Sequence, residues 1–290
     1  MFIKYEGNPV LGSQTLGTCF DVYVTKEKDR YRMDFSWRKK KSLAVSFSTD
    51  GIHWCDPIIT LSPDLRTGWE DNLNRNCVLK IDGQYRMWYT GQARGYSFIG
   101  CAVSEDGIRF ERSSAEPVLI PERGWEKESV MNPCVLYENG LYRMWYAAGE
   151  TYEPNVLAYA ESRDGLNWQK TKINPIFTAA PGNVYEQDRV GGCQVMKTDD
   201  MGYLMFYIGY ENIDKARICA ARSDNGITNW QRLPGNPVIS PDADSWDADA
   251  CYKPSFLWNP EKDEWMLWYN GRRGHDEFIG LATSAGRRLF

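Results

Sequence analysis

Large apolar and polar residues alternate through Tyr142-Arg143-Met144-Trp145-Tyr146, and the chain returns to this pattern four more times. The other copies are Tyr31-Arg32-Met33-Asp34-Phe35, Tyr85-Arg86-Met87-Trp88-Tyr89, Tyr203-Leu204-Met205-Phe206-Tyr207 and Trp265-Met266-Leu267-Trp268-Tyr269. A period of two marks a strand, where a period of 3.6 would mark a helix. The central residues Met33, Met87, Met144, Met205 and Leu267 are separated by 54, 57, 61 and 62 positions. Five copies at a nearly fixed period predict five structural repeats.

The surroundings of each copy are also constant. A short apolar run precedes it (Cys77-Val78-Leu79, Cys134-Val135-Leu136, Gln194-Val195-Met196, Ser255-Phe256-Leu257), then a turn such as Asp82-Gly83 or Asn139-Gly140. A third apolar run follows, closed by Ser48-Thr49-Asp50-Gly51, Ser104-Glu105-Asp106-Gly107, Ser162-Arg163-Asp164-Gly165 or Ser223-Asp224-Asn225-Gly226. A fourth strand is predicted to begin around Trp54, Phe110, Trp168 and Trp230. Four antiparallel strands per repeat, with no helical pattern, predict an all-β, five-bladed β-propeller filling residues 1–290 as one domain. The fifth repeat ends after Ser284 without a fourth strand, and Gly7-Asn8-Pro9-Val10-Leu11 matches Gly235-Asn236-Pro237-Val238-Ile239. The N-terminal strand is therefore expected to close the ring.

Composition narrows the partners. The formal net charge is −5, with both signs interspersed, which disfavours nucleic acid and anionic membrane. The first residues show no basic segment leading into an apolar one, and no run is long enough to span a bilayer. Cys77, Cys134 and Cys193 open the first strand of successive repeats, where they point along different radii. The eight cysteines read as small buried hydrophobes in a reducing compartment, so a cytoplasmic location is expected. Two histidines and no Cys-x-x-Cys pair argue against a structural metal site, and no cofactor is implied.

In a propeller, the loop entering the first strand and the loop joining strands two and three emerge on one face, around the central channel. The entry loops repeat an aromatic residue followed by acids: Trp69-Glu70-Asp71, Trp125-Glu126-Lys127-Glu128, Tyr185-Glu186-Gln187-Asp188 and Trp246-Asp247-Ala248-Asp249. The acids directly after the aromatic (Glu70, Glu126, Glu186, Asp247) read as structural, binding backbone or capping turns. The acids nearest the strand, Asp71, Glu128, Asp188 and Asp249, with Asp21 in the first repeat, are expected at the channel mouth. Arg75, Asn132, Arg189 and Lys253 stand beside them, and the strand two-to-three loops add Tyr96, Tyr210, Arg272 and His275. Rings that stack on the C–H faces of a sugar, beside charges that bind its hydroxyls, suit an oligosaccharide.

Five blades with carboxylates at the innermost strands resemble the glycoside hydrolases of families 43 and 32 and their relatives, including the family 130 mannoside phosphorylases. The segment from Glu128 through Asn132-Pro133-Cys134 to Asn139-Gly140-Leu141-Tyr142 is similar to the general-acid segment of those enzymes. The resemblance implies Glu128 as general acid, Asp21 as general base and Asp71 as the carboxylate that tunes the acid, although Phe20-Asp21-Val22 stands where family 43 has Asp-Pro. Asp188 and Asp249 have no counterpart in the family pattern and remain alternatives for the acid. Three functions stay open: an inverting, exo-acting glycosidase for a short oligosaccharide, a phosphate-dependent glycoside phosphorylase, and a carbohydrate-binding propeller without catalysis.

Overall fold

The computed structural model describes residues 2–199, 202–287 and 289. After a short strand Ile3–Lys4 (β1), the chain runs through consecutive antiparallel meanders. The first is Cys19–Lys26 (β2), Tyr31–Trp37 (β3), Ser42–Ser48 (β4) and Ile58–Leu61 (β5). The second is Asn72–Ile81 (β6), Gln84–Ala93 (β7), Tyr96–Ser104 (β8) and Glu111–Arg112 (β9). The third is Ser129–Glu138 (β10), Leu141–Gly149 (β11), Pro154–Ser162 (β12) and Gln169–Lys170 (β13). The fourth is Arg189–Thr198 (β14), Gly202–Asn212 (β15), Lys215–Ser223 (β16) and Gln231–Arg232 (β17). The last is Ala250–Asn259 (β18), Glu264–Arg273 (β19) and Asp276–Ala285 (β20), and it takes β1 as its fourth strand. The second and third meanders share one sheet through a single parallel pairing, Ser97 with Ser129. Helical structure among the described residues is confined to short 3-10 turns, and no helix is long and apolar enough to cross a membrane.

The alternating stretch is the second strand of each meander, and its central residue is fully buried in every copy. The core lies between meanders. Apolar clusters join the first to the second, the second to the third, the third to the fourth and the fourth to the fifth. Another packs Leu257, Met266 and Trp268 of the fifth against Val24, Met33 and Phe35 of the first. Indole N–H groups follow the same order: Trp88 donates to the Gly165 carbonyl (2.8 Å), Trp145 to Gly226 (2.7 Å) and Trp268 to Gly51 (2.9 Å). Gly51 must be glycine on two counts, because its φ is 80° and an added Cβ would lie 2.9 Å from the Trp268 ring.

The acids that follow the entry-loop aromatics form a repeated internal tie. Glu70, Glu126, Glu186 and Asp247 are fully buried and accept 3.0 Å hydrogen bonds from Tyr89, Tyr146, Tyr207 and Tyr269. Each also pairs with a cation from the outermost strand: Arg112 at 2.6 Å, Lys170 at 2.9 Å, Arg232 at 2.5 Å and Lys4 at 2.6 Å. Lys4 on β1 thus does for the fifth meander what the fourth-strand cations do elsewhere. Asn8 repeats a second device, exchanging two hydrogen bonds with the Leu281 backbone as Asn174 does with Tyr159 and Asn236 with Ala220.

Removing one partner of a buried ion pair leaves the other charge desolvated and alone, at a cost of about 3–5 kcal/mol. Lys4→Met should lower the urea midpoint by an amount near the bottom of that range, about 3 kcal/mol at unchanged m-value, because the Lys4 side chain keeps some exposure. A shift under about 0.5 kcal/mol would show that β1 is a decoration on the fold rather than part of it.

Candidate active site

Each innermost strand carries one residue more than the strand it pairs with. The register shifts between Phe20 and Tyr23, Asn74 and Cys77, Met131 and Cys134, Gly191 and Cys193, and Tyr252 and Ser255. Such a β-bulge bends the strand locally and re-aims a side chain. The re-aimed residues are Asp21, Arg75, Asn132 and Lys253, whose φ angles are 59°, 54°, 55° and 48°. The fourth meander has Gly192 there, and a Cβ on it would come within 2.6 Å of Asn132 Cγ. A left-handed backbone costs a non-glycine residue about 1–3 kcal/mol, so these positions are held by their surroundings. The bulge amides of Asp21, Arg75 and Asn132 donate to Asn270 Oδ1 (2.9 Å), Ser36 Oγ (3.1 Å) and Thr90 Oγ1 (3.1 Å), each on a second strand of the neighbouring meander.

All four re-aimed side chains line one cavity of about 320 Å³. Glu153 from the loop after β11, Glu277 on β20, Arg272 on β19 and Arg38 after β3 line it too, with Tyr210, Tyr252 and Gln92. Asp21 faces the Arg75 guanidinium at 3.9 Å and accepts from Ser36 Oγ at 3.1 Å. Glu277 pairs with Arg38 at 2.5 Å. Glu153 accepts a 2.6 Å hydrogen bond from the Tyr210 hydroxyl and has no ion-pair partner among the described residues. Burial pushes the Glu153 carboxyl above the ordinary glutamate range, against the opposing Tyr210 hydrogen bond. Burial also raises Glu277, with Arg38 opposing and the nearby Asp21 charge adding to the rise. The Tyr252 phenol is held far above its usual value by burial and then by Glu277 and Asp21, so it stays a proton donor among carboxylates.

Three groups in the cavity are left over. Lys253 is only 2% exposed, yet no hydrogen bond or ion pair to it occurs among the described residues. The Arg272 Nε donor and the Asn132 Oδ1 acceptor are buried without a partner among the described residues. Buried polar groups are nearly always satisfied, so polar groups of this kind in a cavity wall suit a polar ligand.

Of the residues singled out in the sequence, Asp21, Arg75, Asn132, Lys253, Tyr210 and Arg272 meet in this cavity. Asp71, Glu128, Asp188 and Asp249 do not line it, and all four are exposed. Each stands four residues ahead of a bulge position, so their offset is the same in all four meanders. Their backbones bond to the neighbouring strands: Asp188 N–H donates to the Tyr210 carbonyl, Asp249 N–H to the Arg272 carbonyl, and the Glu128 carbonyl accepts from Ser97. Asp188 pairs outward with Arg189 at 2.6 Å, and Asp249 accepts from the Gly274 amide at 2.6 Å. Arg189 also binds Glu150 and the Glu153 carbonyl, which holds the Glu150 carboxyl down at about 2 with help from Lys127. Tyr96 is exposed and stacks on Phe98, and His275 is exposed outside the cavity.

Sequence reasoning passed over Glu153, Glu277 and Gln92. Glu277 had a readable signal. Pairing register makes it equivalent to Ser97, Pro154 and Ala216 of the second, third and fourth meanders, so it is the acid at a position small and uncharged in those three.

Comparison with known proteins agrees with this architecture. The sequence model of the glycosyl hydrolases family 32 N-terminal domain matches residues 27–176. An uncharacterized protein of Mycobacterium tuberculosis (strain H37Rv) is 34% identical over 237 residues, covering 77% of this chain and 75% of that protein. A 1,2-beta-oligomannan phosphorylase of Thermoanaerobacter sp. (strain X514) is 33% identical over 138 residues, 43% of this chain and 44% of that enzyme. The crystal structure of a thermostable family-43 glycoside hydrolase superposes with a TM-score of 0.75 at 18% identity, over 94% of this chain and 91% of that one, which is a likeness of fold. The family match spans just over half of the 290 residues, and the chain belongs to the family of glycosyl hydrolases family 32 N-terminal domains.

Proposed function

We propose that the meanders close into a five-bladed propeller latched by β1, and that the cavity at its mouth cleaves the terminal bond of a short oligosaccharide with inversion. Closure is supported by the apolar packing of the fifth meander on the first and by the Val24 amide, which donates to Ser255 Oγ at 2.8 Å. The observation that carries the chemistry is the pairing of unlike carboxyls in one cavity. Glu153 is half-buried in the cavity wall, raised in pKa by desolvation and without an ion-pair partner among the described residues, which suits a general acid. Asp21 is ion-paired with Arg75, which suits a base that activates the attacking group. Glu277 takes the tuning role that the family resemblance suggested for Asp71, and Glu153 the role it suggested for Glu128. An inverting reaction needs acid and base carboxyls about 6.5–9.5 Å apart in the complex. The cavity is small, about 320 Å³, which favours attack at a chain end. β-1,2-linked mannosides are the first substrates to try, given the oligomannan phosphorylase among the relatives. The eight unpaired cysteines suit a reducing compartment, and imported oligosaccharides would then be the supply.

Phosphorolysis is the second reading, favoured by one observation. Lys253, with no partner among the described residues, and the unsatisfied Arg272 Nε line the same cavity as Asp21, where an attacking phosphate would need cations. Water and phosphate are separated by turnover with and without inorganic phosphate. Lys253→Met should abolish only the phosphate-dependent part.

With β-1,2-mannobiose followed by proton NMR, inversion should release the α-configured product first. Glu153→Gln should lower turnover about 10²–10⁴-fold. It should lower it far less on a dinitrophenyl mannoside, whose leaving group needs no proton. The sign of the pH effect follows from the raised Glu153 pKa. The acid is loaded below that value and lost above it, so kcat/KM should fall on an alkaline limb lying above the ordinary glutamate value of about 4.3, and the limb should vanish in Glu153→Gln. Retention of the limb in that variant would remove Glu153 from the role.

A further inference from the structure

Glu153 sits on a loop, whereas Asp21 sits on the innermost strand of another meander, so something must fix the distance between them. A one-way chain of hydrogen bonds runs from the arginine that faces Asp21 to the backbone just ahead of Glu153. Arg75, which faces Asp21 at 3.9 Å, donates from Nη1 to Asn74 Oδ1 (3.0 Å). Asn74 Nδ2 donates to Gln92 Oε1 (2.7 Å), and Gln92 Nε2 donates both to Ser97 Oγ (2.9 Å) and to the Thr151 carbonyl (3.1 Å). Ser97 Oγ donates to the same carbonyl at 3.1 Å, and Arg75 Nη2 reaches the next one, Tyr152, at 3.2 Å. A guanidinium can only donate and a backbone carbonyl can only accept, so both side-chain amides have one orientation that satisfies the chain. Asn74 is 2% exposed and Gln92 7% exposed, which strengthens these bonds and makes each broken one costly.

We propose that Gln92 is the positioning residue of the site: it clamps the Thr151–Tyr152 backbone and thereby sets where Glu153 stands relative to Asp21. Gln92 uses both of its donors and its acceptor in this task. It joins Asn74, which accepts from the arginine beside Asp21, to the loop that carries Glu153, and so reinforces the direct contact of that arginine with the Tyr152 carbonyl. The Thr151 hydroxyl, which donates to the Gly95 carbonyl, anchors the loop to the same second meander. Glu153 then meets Tyr210 of the fourth meander at a fixed point. A misplacement of about 1 Å at a reacting group can cost on the order of 10²-fold in rate, so a clamp of this kind is read in kcat.

The proposal rests on Glu153 being the general acid, and the test separates the two ideas. Wild type, Glu153→Gln, Gln92→Met and Gln92→Glu are assayed with phosphate present on β-1,2-mannobiose and on 2,4-dinitrophenyl β-mannoside. Gln92→Met removes the hydrogen bonds at similar size, whereas Gln92→Glu keeps the acceptor for Asn74 and removes only the donors to the loop. Both Gln92 variants are expected to lose about 10–100-fold in kcat on mannobiose and under about 3-fold on the dinitrophenyl glycoside, with KM nearly unchanged. The broken buried bonds lower the thermal midpoint, and the retained dinitrophenyl glycoside activity shows the variants folded at the assay temperature. Equal losses on both substrates would make Gln92 an ordinary structural residue. If Glu153→Gln itself shows no dependence on the leaving group, the acid assignment falls and the clamp proposal with it. If Glu153→Gln shows that dependence and the Gln92 variants do not, only the clamp falls. A crystal structure of Gln92→Met gives a readout free of activity. The Glu153 carboxyl should leave its 2.6 Å contact with Tyr210, and an unmoved carboxyl would overturn the proposal.

Discussion

The site depends on one backbone irregularity repeated around the molecule, the bulge in each innermost strand. A regular strand would alternate its side chains between two faces, both committed to packing against neighbouring meanders. The extra residue breaks that alternation once and turns Asp21, Arg75, Asn132 and Lys253 into a common cavity. The strain of four left-handed residues is tolerated because the surrounding structure over-determines it. Bulge amides find side-chain acceptors on the next meander, and the strands below the bulge are locked by further cross-meander bonds such as Val135 N–H to Cys77 Sγ and Val195 N–H to Cys134 Sγ. Left-handed residues repeated at four bulges, with their side chains meeting in one cavity, fit a site rather than a defect.

Much of this was legible from residues alone, and the limits are physical. The second strands declare themselves because a period of two with large aromatics survives substitution, as in Tyr203-Leu204-Met205-Phe206-Tyr207. The match between Gly7–Leu11 and Gly235–Ile239 was equally sound, since Leu11 bridges Ile279 as Ile239 bridges Ile218. The structural reading of Glu70, Glu126, Glu186 and Asp247 follows from their place beside an aromatic, and their burial against tyrosines agrees with it. What misled was counting acids toward the strand without allowing for the bulge. Asp71, Glu128, Asp188 and Asp249 lie nearest the strands in sequence, yet the residue four positions on is the one turned inward. Glu153 was hidden for another reason. Its place is set by contacts from Arg75, Gln92 and Arg189 on other meanders, and no local pattern encodes such contacts.

The cavity sets like and unlike charges side by side in a way that chemistry can use. Asp21 and Glu277 each have a guanidinium, Glu153 has a phenol, and Lys253 has no partner among the described residues. Unlike surroundings for neighbouring carboxyls are how one fold holds an acid and a base at the same pH. Membership of a glycosyl hydrolase family accords with a cavity lined by carboxyls, and the fold alone would not assign their roles.

The most direct measurement is the crystal structure of Asp21→Asn soaked with β-1,2-mannobiose. The sugar should occupy the cavity between Asn132, Lys253 and Tyr210, with its glycosidic oxygen within about 3 Å of the Glu153 carboxyl. Sugar density instead at the rim beside Glu128 or Asp188, with the cavity empty, would contradict the assignment of the active site.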